Sequence, residues 1–373
     1  MKVDIIIPCY GKNEIVEKGV ASLANQWRSE ELTVYLVNDC SPNTPDNYQS
    51  VVEKFPSLNI KVLKTPQNSG QGLARQWGID HSSSPYFMFC DEDDMYAPLA
   101  CSIFMGVAES AEQQGKPISI AGGALISFDK YSYNVIPEHN VIWVNSKIFN
   151  RKFWEKHHIK FSKDSSRHSE DYCTMSKLFY CAQRDTEYQL VNIPQQGNDL
   201  YYWYPNPNSQ SRSDDFYGEM LTPYTTRSTV EIINFMKDCR TVPFDEGFFR
   251  FDILNKYVYA WYCQYDWKWQ QNKGFSPKEE EKEIERKAME DIYNELKNYK
   301  YSIEEIASNI DAVCNRSDAH IVRDMETGEI DVDENIFDDL SEIIRVGKQW
   351  SKNESGAAPQ HQQKFRTMTT QSK

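Results

Sequence analysis

Residues 85–96 read PYFMFCDEDDMY, an apolar run that ends directly in four carboxylates. The unbroken aromatic and apolar run over residues 86–90 is typical of a strand buried on both faces of a parallel sheet. Four adjacent carboxylates are costly in an apolar core, so they should face water or a cation. Ligands of open α/β sheets bind just past the carboxyl ends of the strands. The stretch favours a site for Mg2+ or Mn2+ carrying substrate phosphates over the alternative, a solvated acidic turn.

The first 90 residues alternate strand and helix patterns. The sequence predicts strands at residues 3–7, 32–37, 60–63 and 86–90, and helices at 13–27, 48–55 and 73–80. Pro8 is expected to close the first strand, and Asn13 is expected to cap the first helix. This alternation indicates βαβ units, and therefore a parallel sheet with right-handed crossovers.

The second part of the chain is more helical. Beyond residue 98 the pattern predicts helices at 99–114, 149–157 and 171–182, and strands at 118–128, 141–144, 187–193 and 200–203. Helices alone follow, at 229–239, 248–271, 277–300, 303–314 and 336–350. We therefore expect one α/β domain over residues 1–221, a helical C-terminal extension over 222–350, and a polar, disordered tail over 351–373.

The composition excludes several classes of protein. A net charge of −14 disfavours non-specific nucleic-acid binding, which depends on Lys and Arg meeting phosphates. The 9 cysteines form no CxxC pair and no zinc-like spacing, which favours reduced thiols in a cytoplasmic protein. The first ten residues are strand-like and carry the acidic residue Asp4, unlike a signal peptide. No run of ~18 apolar residues occurs, so the sequence predicts no transmembrane segment.

Carboxylates follow two of the predicted strands. Asp39 comes after the second strand, and Asp91 and Asp93 come after the fourth. Because the carboxyl ends of parallel strands share one edge of the sheet, we expect these side chains to converge. Asp93 would bind the cation that bridges a diphosphate. Asp39 would hydrogen-bond a base or ribose, or would instead form an Asx turn before Ser41, and the residues alone leave both open.

Several motifs occur together in the order and spacing of a known family. PCYGKNE, VNDCSPN, NSGQGLARQWGI and CDEDD resemble the family 2 glycosyltransferases, and the resemblance continues through NSKIFNRKFWEKHHIKF, SEDY and YYWYPNPNSQSRS. It covers residues 1–213. It implies the GT-A fold, with a mostly parallel sheet flanked by helices. It also implies a metal-dependent, inverting transferase that uses a nucleotide-sugar donor, with uridine as the expected nucleoside and Mn2+ or Mg2+ as the cofactor.

The resemblance assigns roles to individual residues. Asp39 would contact the base, Asp91 the ribose, Asp93 the metal and Asp94 the sugar hydroxyls. The remaining nucleotide-sugar contacts would come from Pro8, Tyr10, Asn68, Gly70, Arg75 and Arg212. The chain departs from the family pattern at Glu92, where a small residue is usual, and at Gln76, where Asn is usual.

Glu170 and Asp171 form the second acidic site. Without the resemblance, the pair reads as acids that complement the start of a helix. The resemblance makes Asp171 the general base, and inversion does require a carboxylate on the face opposite the leaving diphosphate. Tyr202, Trp203 and Tyr204 would stack on a sugar or pack in the core. His168, close to Asp171, is a weaker acceptor-site candidate.

Other functions remain open from the sequence. A nucleotidyltransferase would place carboxylates similarly, but PCYGKNE is a poor triphosphate loop, and no GxGxxG follows the first strand as in a dinucleotide-dependent oxidoreductase. A non-catalytic nucleotide-sugar-binding module is a further alternative. The acceptor is expected to be a glycan. A hydroxymethylated base in viral DNA is a second hypothesis, motivated by the Lys and Arg residues at 147–163 and opposed by the acidic net charge.

Overall fold

The computed structural model describes residues 1–128, 133–137, 143–163, 169–194, 199–204, 221–247, 249–251, 253–255, 257, 279–296, 299 and 301. Most of the helix predicted at 248–271, those at 303–314 and 336–350, and the tail at 351–373 lie outside these residues. The chain divides into two compact units, Met1–Phe249 with Trp267–Glu290, and Arg250–Asp266 with Asp291–Lys373. In the second unit, the Tyr301 hydroxyl donates a hydrogen bond to the carbonyl of Arg250. The domain boundary at 221/222 stays a prediction.

The described residues form eleven strands. They are β1 (Val3–Cys9), β2 (Leu32–Asn38), β3 (Asn59–Lys64), β4 (Tyr86–Phe89), β5 (Met95–Tyr96), β6 (Ile118–Gly122), β7 (Ala124–Phe128), β8 (Tyr133–Ile136), β9 (Lys147–Asn150), β10 (Gln189–Asn192) and β11 (Asp199–Trp203).

Eight α-helices are described beside these strands. They are α1 (Asn13–Ala24), α2 (Gln49–Lys54), α3 (Gln71–Asp80), α4 (Ala100–Gln113), α5 (Arg151–Lys156), α6 (Glu170–Ala182), α7 (Leu221–Asp238) and α8 (Glu279–Leu296). A short 3-10 helix covers Ser29–Glu31.

The central sheet is mixed and mostly parallel. Its strand order within the described residues is β10-β6-β9-β4-β1-β2-β3. Strand β1 pairs in parallel with β2 and β4, and β2 pairs in parallel with β3. Strand β9 is antiparallel to both β4 and β6. The predicted α/β class with a mostly parallel sheet flanked by helices is therefore confirmed.

Helices cover both faces of this sheet. Val3, Ile5 and Ile7 join the core cluster that contains Val16 and Val20 of α1. Ile6 points to the opposite face, as alternation along a strand requires. There, a Cβ added to Gly78 of α3 would lie 2.5 Å from Ile6 Cγ2. Glycine at this position lets α3 pack directly onto β1.

Gly123 divides what the sequence predicted as one strand over residues 118–128. Strand β6 ends at Gly122 in the central sheet, and β7 begins at Ala124 in a second sheet of order β5-β11-β7-β8. A Cβ at position 123 would lie 2.3 Å from Leu200 Cδ1, so a larger residue here would force the Leu200 side chain of β11 to move. The second sheet places β11 next to the segment that follows β4.

Three local predictions need correction. The described part of the predicted strand 141–144 is not a strand. Strand β9 lies later in the chain and begins at Lys147, directly after Ser146, whose φ is 55°. Its last residue, Asn150, caps α5 by accepting a hydrogen bond from the Phe153 amide. Polar residues at both ends concealed this short strand. Asn13 does not cap α1, because its side-chain amide donates instead to Asp46 and Ser50. Pro8 does not end β1, which continues to Cys9.

Helices α6 and α7 run parallel and in register. Contacts recur along their length, with sequence separations of 54 to 58 residues. They join Ser169 to Thr225, Cys173 to Ser228, Lys177 to Glu231, and Cys181 to Cys239. Helix α6 is thereby held along its whole length by α7.

Among the described residues, no helix is both long enough and apolar enough to cross a membrane.

Candidate active site

Asp39 organises the loop that follows β3. It lies directly after β2, is buried, and accepts hydrogen bonds from the Thr65 hydroxyl (2.8 Å), the Ser69 amide (2.9 Å) and the Gly70 amide (2.8 Å). Gly70 has φ +86°, a conformation that glycine adopts without strain, and α3 begins immediately after it. Asp39 therefore determines where α3 starts, and its contact with a nucleotide base stays a prediction.

Glu92 connects the acidic segment after β4 to the loop after β1. Its Oε2 accepts hydrogen bonds from the amides of Tyr10 and Gly11, both at 2.8 Å. Burial raises the pKa of Glu92 to about 7, against the lowering effect of these two amides. Ser41, two residues after Asp39, donates to the Tyr10 carbonyl. The segments after β1, β2 and β4 thus meet at one edge of the sheet.

Arg75 of α3 lies at the centre of this edge. It is 1% exposed, so it faces carboxylates inside the protein and is not open to solvent. Its Nη2 donates to Asp91 Oδ1 at 2.6 Å, and its Nη1 donates to Glu170 Oε1 at 2.9 Å and Asp171 Oδ1 at 3.0 Å. Arg75 therefore joins the acidic segment of β4 to the first turn of α6. The sequence did not predict this role.

The acidic pair of α6 is enclosed by this arrangement. Glu170 also accepts from Gln71 Nε2 at 2.6 Å, and Asp171 Oδ2 accepts from the Val144 amide at 3.3 Å. Burial raises the pKa of Glu170 to about 8, and Asp171 adds to this rise while Arg75 opposes it. Burial also raises the pKa of Asp171 above its usual value, again against Arg75. An aspartate with a raised pKa suits a general base.

The segment before β9 supplies residues that sequence reasoning missed. Asn145 Nδ2 donates to Asp91 Oδ2 at 2.9 Å, so both oxygens of Asp91 have partners inside the protein. Lys147 is buried, its Nζ donates to the Asn145 carbonyl at 3.4 Å, and burial lowers its pKa to about 7 while Asp171 opposes this shift. Lys147 is the first residue of β9, and nothing local in the sequence signals that this polar side chain is buried.

Asp94 faces away from the open edge. It is fully buried, and its carboxylate accepts from the Tyr201 hydroxyl at 2.9 Å and the Tyr204 amide at 3.0 Å. Tyr201 also accepts a hydrogen bond from the Asp91 amide. Asp94 therefore anchors the acidic segment to β11, and its burial disfavours the predicted contact with sugar hydroxyls.

Asp93 suits a cation that is held jointly by the protein and a substrate. It is half-buried and lies between Glu92, which accepts from the loop after β1, and Asp94, which anchors the segment to β11. The described residues contain no group of three His, Cys, Asp or Glu side chains arranged to hold a metal alone. Mg2+ is commonly bound through one or two carboxylates together with substrate phosphates and water. A single carboxylate such as Asp93, together with substrate phosphates and water, would match this mode of Mg2+ binding.

The other predicted site residues are distributed as follows. Tyr10 is half exposed at the end of β1, and Pro8 is buried within β1. Asn68 lies in the loop before Gly70. Tyr202 and Trp203 lie in β11, half-buried, and Trp203 contacts the ring of Trp143. Arg212 and His168 lie outside the described residues.

The comparisons with known proteins agree with this architecture. Residues 4–167 match the family described as Glycosyl transferase family 2. The resemblance predicted from the motifs is thereby confirmed, and this part of the chain is a family 2 glycosyltransferase domain with a GT-A fold. The prediction that the protein is an enzyme of the glycosyltransferase class is confirmed at the level of this domain.

Individual relatives are distant in sequence. The chain is 22% identical over 207 residues to the poly(ribitol-phosphate) beta-N-acetylglucosaminyltransferase TarP of Staphylococcus aureus, covering 51% of this chain and 62% of that protein. It is 23% identical to the succinoglycan biosynthesis protein ExoO of Rhizobium meliloti, covering 49% of this chain and 57% of that protein. The chain thus spans less than two thirds of the curated relatives it matches, and only 14% of a teichoic acid poly(glycerol phosphate) polymerase of Staphylococcus epidermidis.

Solved structures share the fold over a longer stretch. TarS 1–349 of S. aureus in complex with UDP has a TM-score of 0.60 and 14% identity, covering 95% of this chain and 92% of that one. The same protein in complex with UDP-GlcNAc has a TM-score of 0.59 and 15% identity, with the same coverage.

Proposed function

We propose that the chain transfers a sugar from a nucleotide-diphosphate sugar to an acceptor hydroxyl, with inversion at the sugar carbon. The observation that carries this proposal is the cluster in which Arg75 joins Asp91 to Glu170 and Asp171. It connects the acidic segment expected at the donor with the carboxylate expected at the acceptor. Family membership supports a nucleotide-sugar donor.

Asp171 is the proposed general base. One of its oxygens is held by Arg75 and the other by the Val144 amide, so the carboxylate is fixed in orientation. In the reaction, the acceptor hydroxyl attacks the sugar carbon, its proton passes to Asp171, and the bond to the nucleoside diphosphate breaks on the opposite face. The raised pKa of Asp171 increases its ability to accept that proton near neutral pH.

Asp93 is the proposed protein ligand of a divalent cation, Mn2+ or Mg2+. When bound, such a cation would neutralise the charge that grows on the leaving diphosphate. Glu92 holds the loop after β1 against the acidic segment, which would keep Tyr10 beside the nucleoside. Uridine is the proposed nucleoside, because TarS shares the fold and its structures contain UDP and UDP-GlcNAc.

The proposed acceptor is a hydroxyl-rich glycan or polyol phosphate. The names of the relatives TarP and ExoO motivate this class. The half-buried aromatic side chains of β11, Tyr202 and Trp203, offer surfaces suited to sugar rings.

A donor screen tests the proposal. The full chain is incubated with Mn2+, with a panel of nucleotide sugars or, in parallel, nucleoside triphosphates, and with acceptors that include poly(ribitol phosphate), oligosaccharides and DNA with hydroxymethylated bases. Mass spectrometry should find an acceptor heavier by one sugar, together with free UDP. Release of pyrophosphate from a nucleoside triphosphate would instead indicate a nucleotidyltransferase. Binding of UDP-sugars without turnover of any acceptor would indicate a non-catalytic binding module.

A further inference from the structure

The ends of α6 and α7 bring two thiols together away from the acidic cluster. Cys181 Sγ and Cys239 Sγ lie 3.9 Å apart, and both are free thiols. A disulfide bond is about 2.05 Å long, so the sulfurs are roughly 2 Å from bonding distance. Cys181 is buried near the end of α6, whereas Cys239 is half-buried and directly follows the last residue of α7. The thiol at the helix end is therefore the one that solutes can reach.

The parallel packing of the two helices maintains this proximity. Lys177 pairs with Glu231 one turn before the thiols, and Ser169 contacts Thr225 at the start of α6. Because contacts recur along the pair, the two cysteines stay neighbours unless α7 separates from α6. Disulfide formation requires the two sulfur atoms to approach each other by roughly 2 Å.

A chain of polar side chains leads away from Cys239. Its Sγ lies 3.2 Å from Thr241 Oγ1, which lies 2.7 Å from His157 Nδ1. The other ring nitrogen of His157 lies 2.8 Å from Asp185 Oδ2, which also accepts a hydrogen bond from Lys156. An ionised carboxylate only accepts, so His157 Nε2 carries the proton and Nδ1 accepts one from Thr241. Thr241 can in turn accept the thiol proton of Cys239.

The electrostatic surroundings determine which of these groups carry protons at rest. Burial lowers the pKa of His157, against the effect of Asp185, so the imidazole is neutral and free to accept at Nδ1. Burial raises the pKa of the Cys181 thiol, and the neighbouring Cys239 adds to the rise. Cys181 therefore stays protonated while Cys239 is the thiol with a route for its proton.

We propose that Cys181 and Cys239 form a redox-sensitive modification site, at which a low-molecular-weight disulfide such as glutathione disulfide joins α6 to α7 covalently. The Cys239 thiol gives its proton to the Thr241–His157 chain, and its thiolate attacks one sulfur of glutathione disulfide. The glutathione S–S bond breaks, and the departing glutathione thiolate takes up the proton. Cys181 then attacks the Cys239 sulfur, and its proton leaves with the second glutathione. Two protein thiols are oxidised and one glutathione disulfide is reduced to two thiols.

The test is oxidation of the full chain by glutathione disulfide under native conditions. After quenching and denaturation, thiol titration should show the loss of two thiols. Peptide mass spectrometry should find the Cys181 and Cys239 peptides linked, with a mass lower by two hydrogen atoms. No loss of thiols, a stable glutathione adduct on Cys239, or linkage of a different pair would overturn the proposal.

Variants separate the two steps and check the role of the polar chain. Cys181→Ser should stop at a glutathione adduct on Cys239, and Cys239→Ser should leave Cys181 unmodified. Thr241→Val keeps the shape but removes the hydroxyl, so disulfide formation should slow by roughly tenfold or more. Cys40→Ser is the matched control, because Cys40 is also half-buried but bonds to the Thr65 carbonyl, and its loss should leave the rate unchanged. An unchanged rate in Thr241→Val would contradict the proton route.

Discussion

At the scale of single residues, the site depends on how one buried guanidinium distributes its hydrogen bonds. Arg75 contacts three carboxylates from two distant parts of the chain. Burial is the main cause that raises the pKa values of Glu170 and Asp171, and a carboxylate neighbour, Asp171 for Glu170 and Asp91 for Asp171, adds to the rise while Arg75 opposes it. The buried cluster around Arg75 therefore affects both the stability of the protein and the basicity of Asp171.

Replacing Arg75 with Met should destabilise the protein. The substitution leaves three acids without their cation, and breaking a buried ion pair from one side typically costs about 3–5 kcal/mol. Denaturant unfolding measures the loss, and Arg75→Lys should lose less because it keeps the charge. The control is Arg286→Met on α8, an exposed arginine that pairs with Glu283, where the denaturant midpoint should stay close to that of the wild type. Equal stability of Arg75→Met and wild type would contradict this account of the cluster.

The pH dependence of activity should reveal the raised pKa of Asp171. A general base works only when ionised, so kcat/KM should rise with pH and level off above that pKa. Since the shift is upward, the acidic limb should lie above the usual Asp value of about 3.9. Glu170, with a pKa of about 8, titrates together with Asp171, and the profile reports the pair. A limb at the ordinary Asp value would show that Asp171 is not the base.

At the scale of elements, strand ends and the loops after them build the site. The first four strands, the helices between them and the convergence of the segments after β2 and β4 could be predicted, because unbroken apolar runs followed by acids carry a strong signal. Strand β9 could not, because Lys147 and Asn150 are polar yet buried. The contacts of Arg75 with Glu170 and of Asn145 with Asp91 span 95 and 54 residues, and local patterns carry no signal for such distant pairs.

Glu92 should matter for donor binding through the loop it holds. In Glu92→Ala, the Tyr10 and Gly11 amides lose their acceptor, and the loop after β1 should become less ordered. A hydrogen bond contributes about 0.5–1.5 kcal/mol net, so the donor KM should rise roughly two- to tenfold with kcat little changed. Glu92→Gln keeps an acceptor oxygen and should remain near wild type. A large fall in kcat at unchanged KM in Glu92→Ala would argue against a binding role.

At the scale of the whole molecule, the first unit holds the complete described cluster, from Asp39 to Asp171. Asp93 is the proposed protein ligand of the cation, and in this proposal the donor's diphosphate supplies further ligands. Metal binding and donor binding should therefore be coupled, as for any pair of ligands that share contacts.

Calorimetry can measure this coupling directly. Mn2+ alone should bind weakly, and UDP should tighten its binding at least roughly fivefold, the lower end of typical coupling between sites. In Asp93→Asn, UDP should no longer strengthen Mn2+ binding. Equal Mn2+ affinity with and without UDP in the wild-type protein would mean that the cation does not bridge the protein and the donor.

The central claim is that Asp171 removes the acceptor's proton, whereas residues of other elements bind the donor. The most direct measurement compares wild type and Asp171→Asn for sugar transfer by mass spectrometry and for UDP binding by calorimetry. We predict that transfer falls by roughly 10²–10⁴-fold, the usual contribution of a general base, while UDP affinity stays within about twofold. Transfer at the wild-type rate in Asp171→Asn would contradict the account.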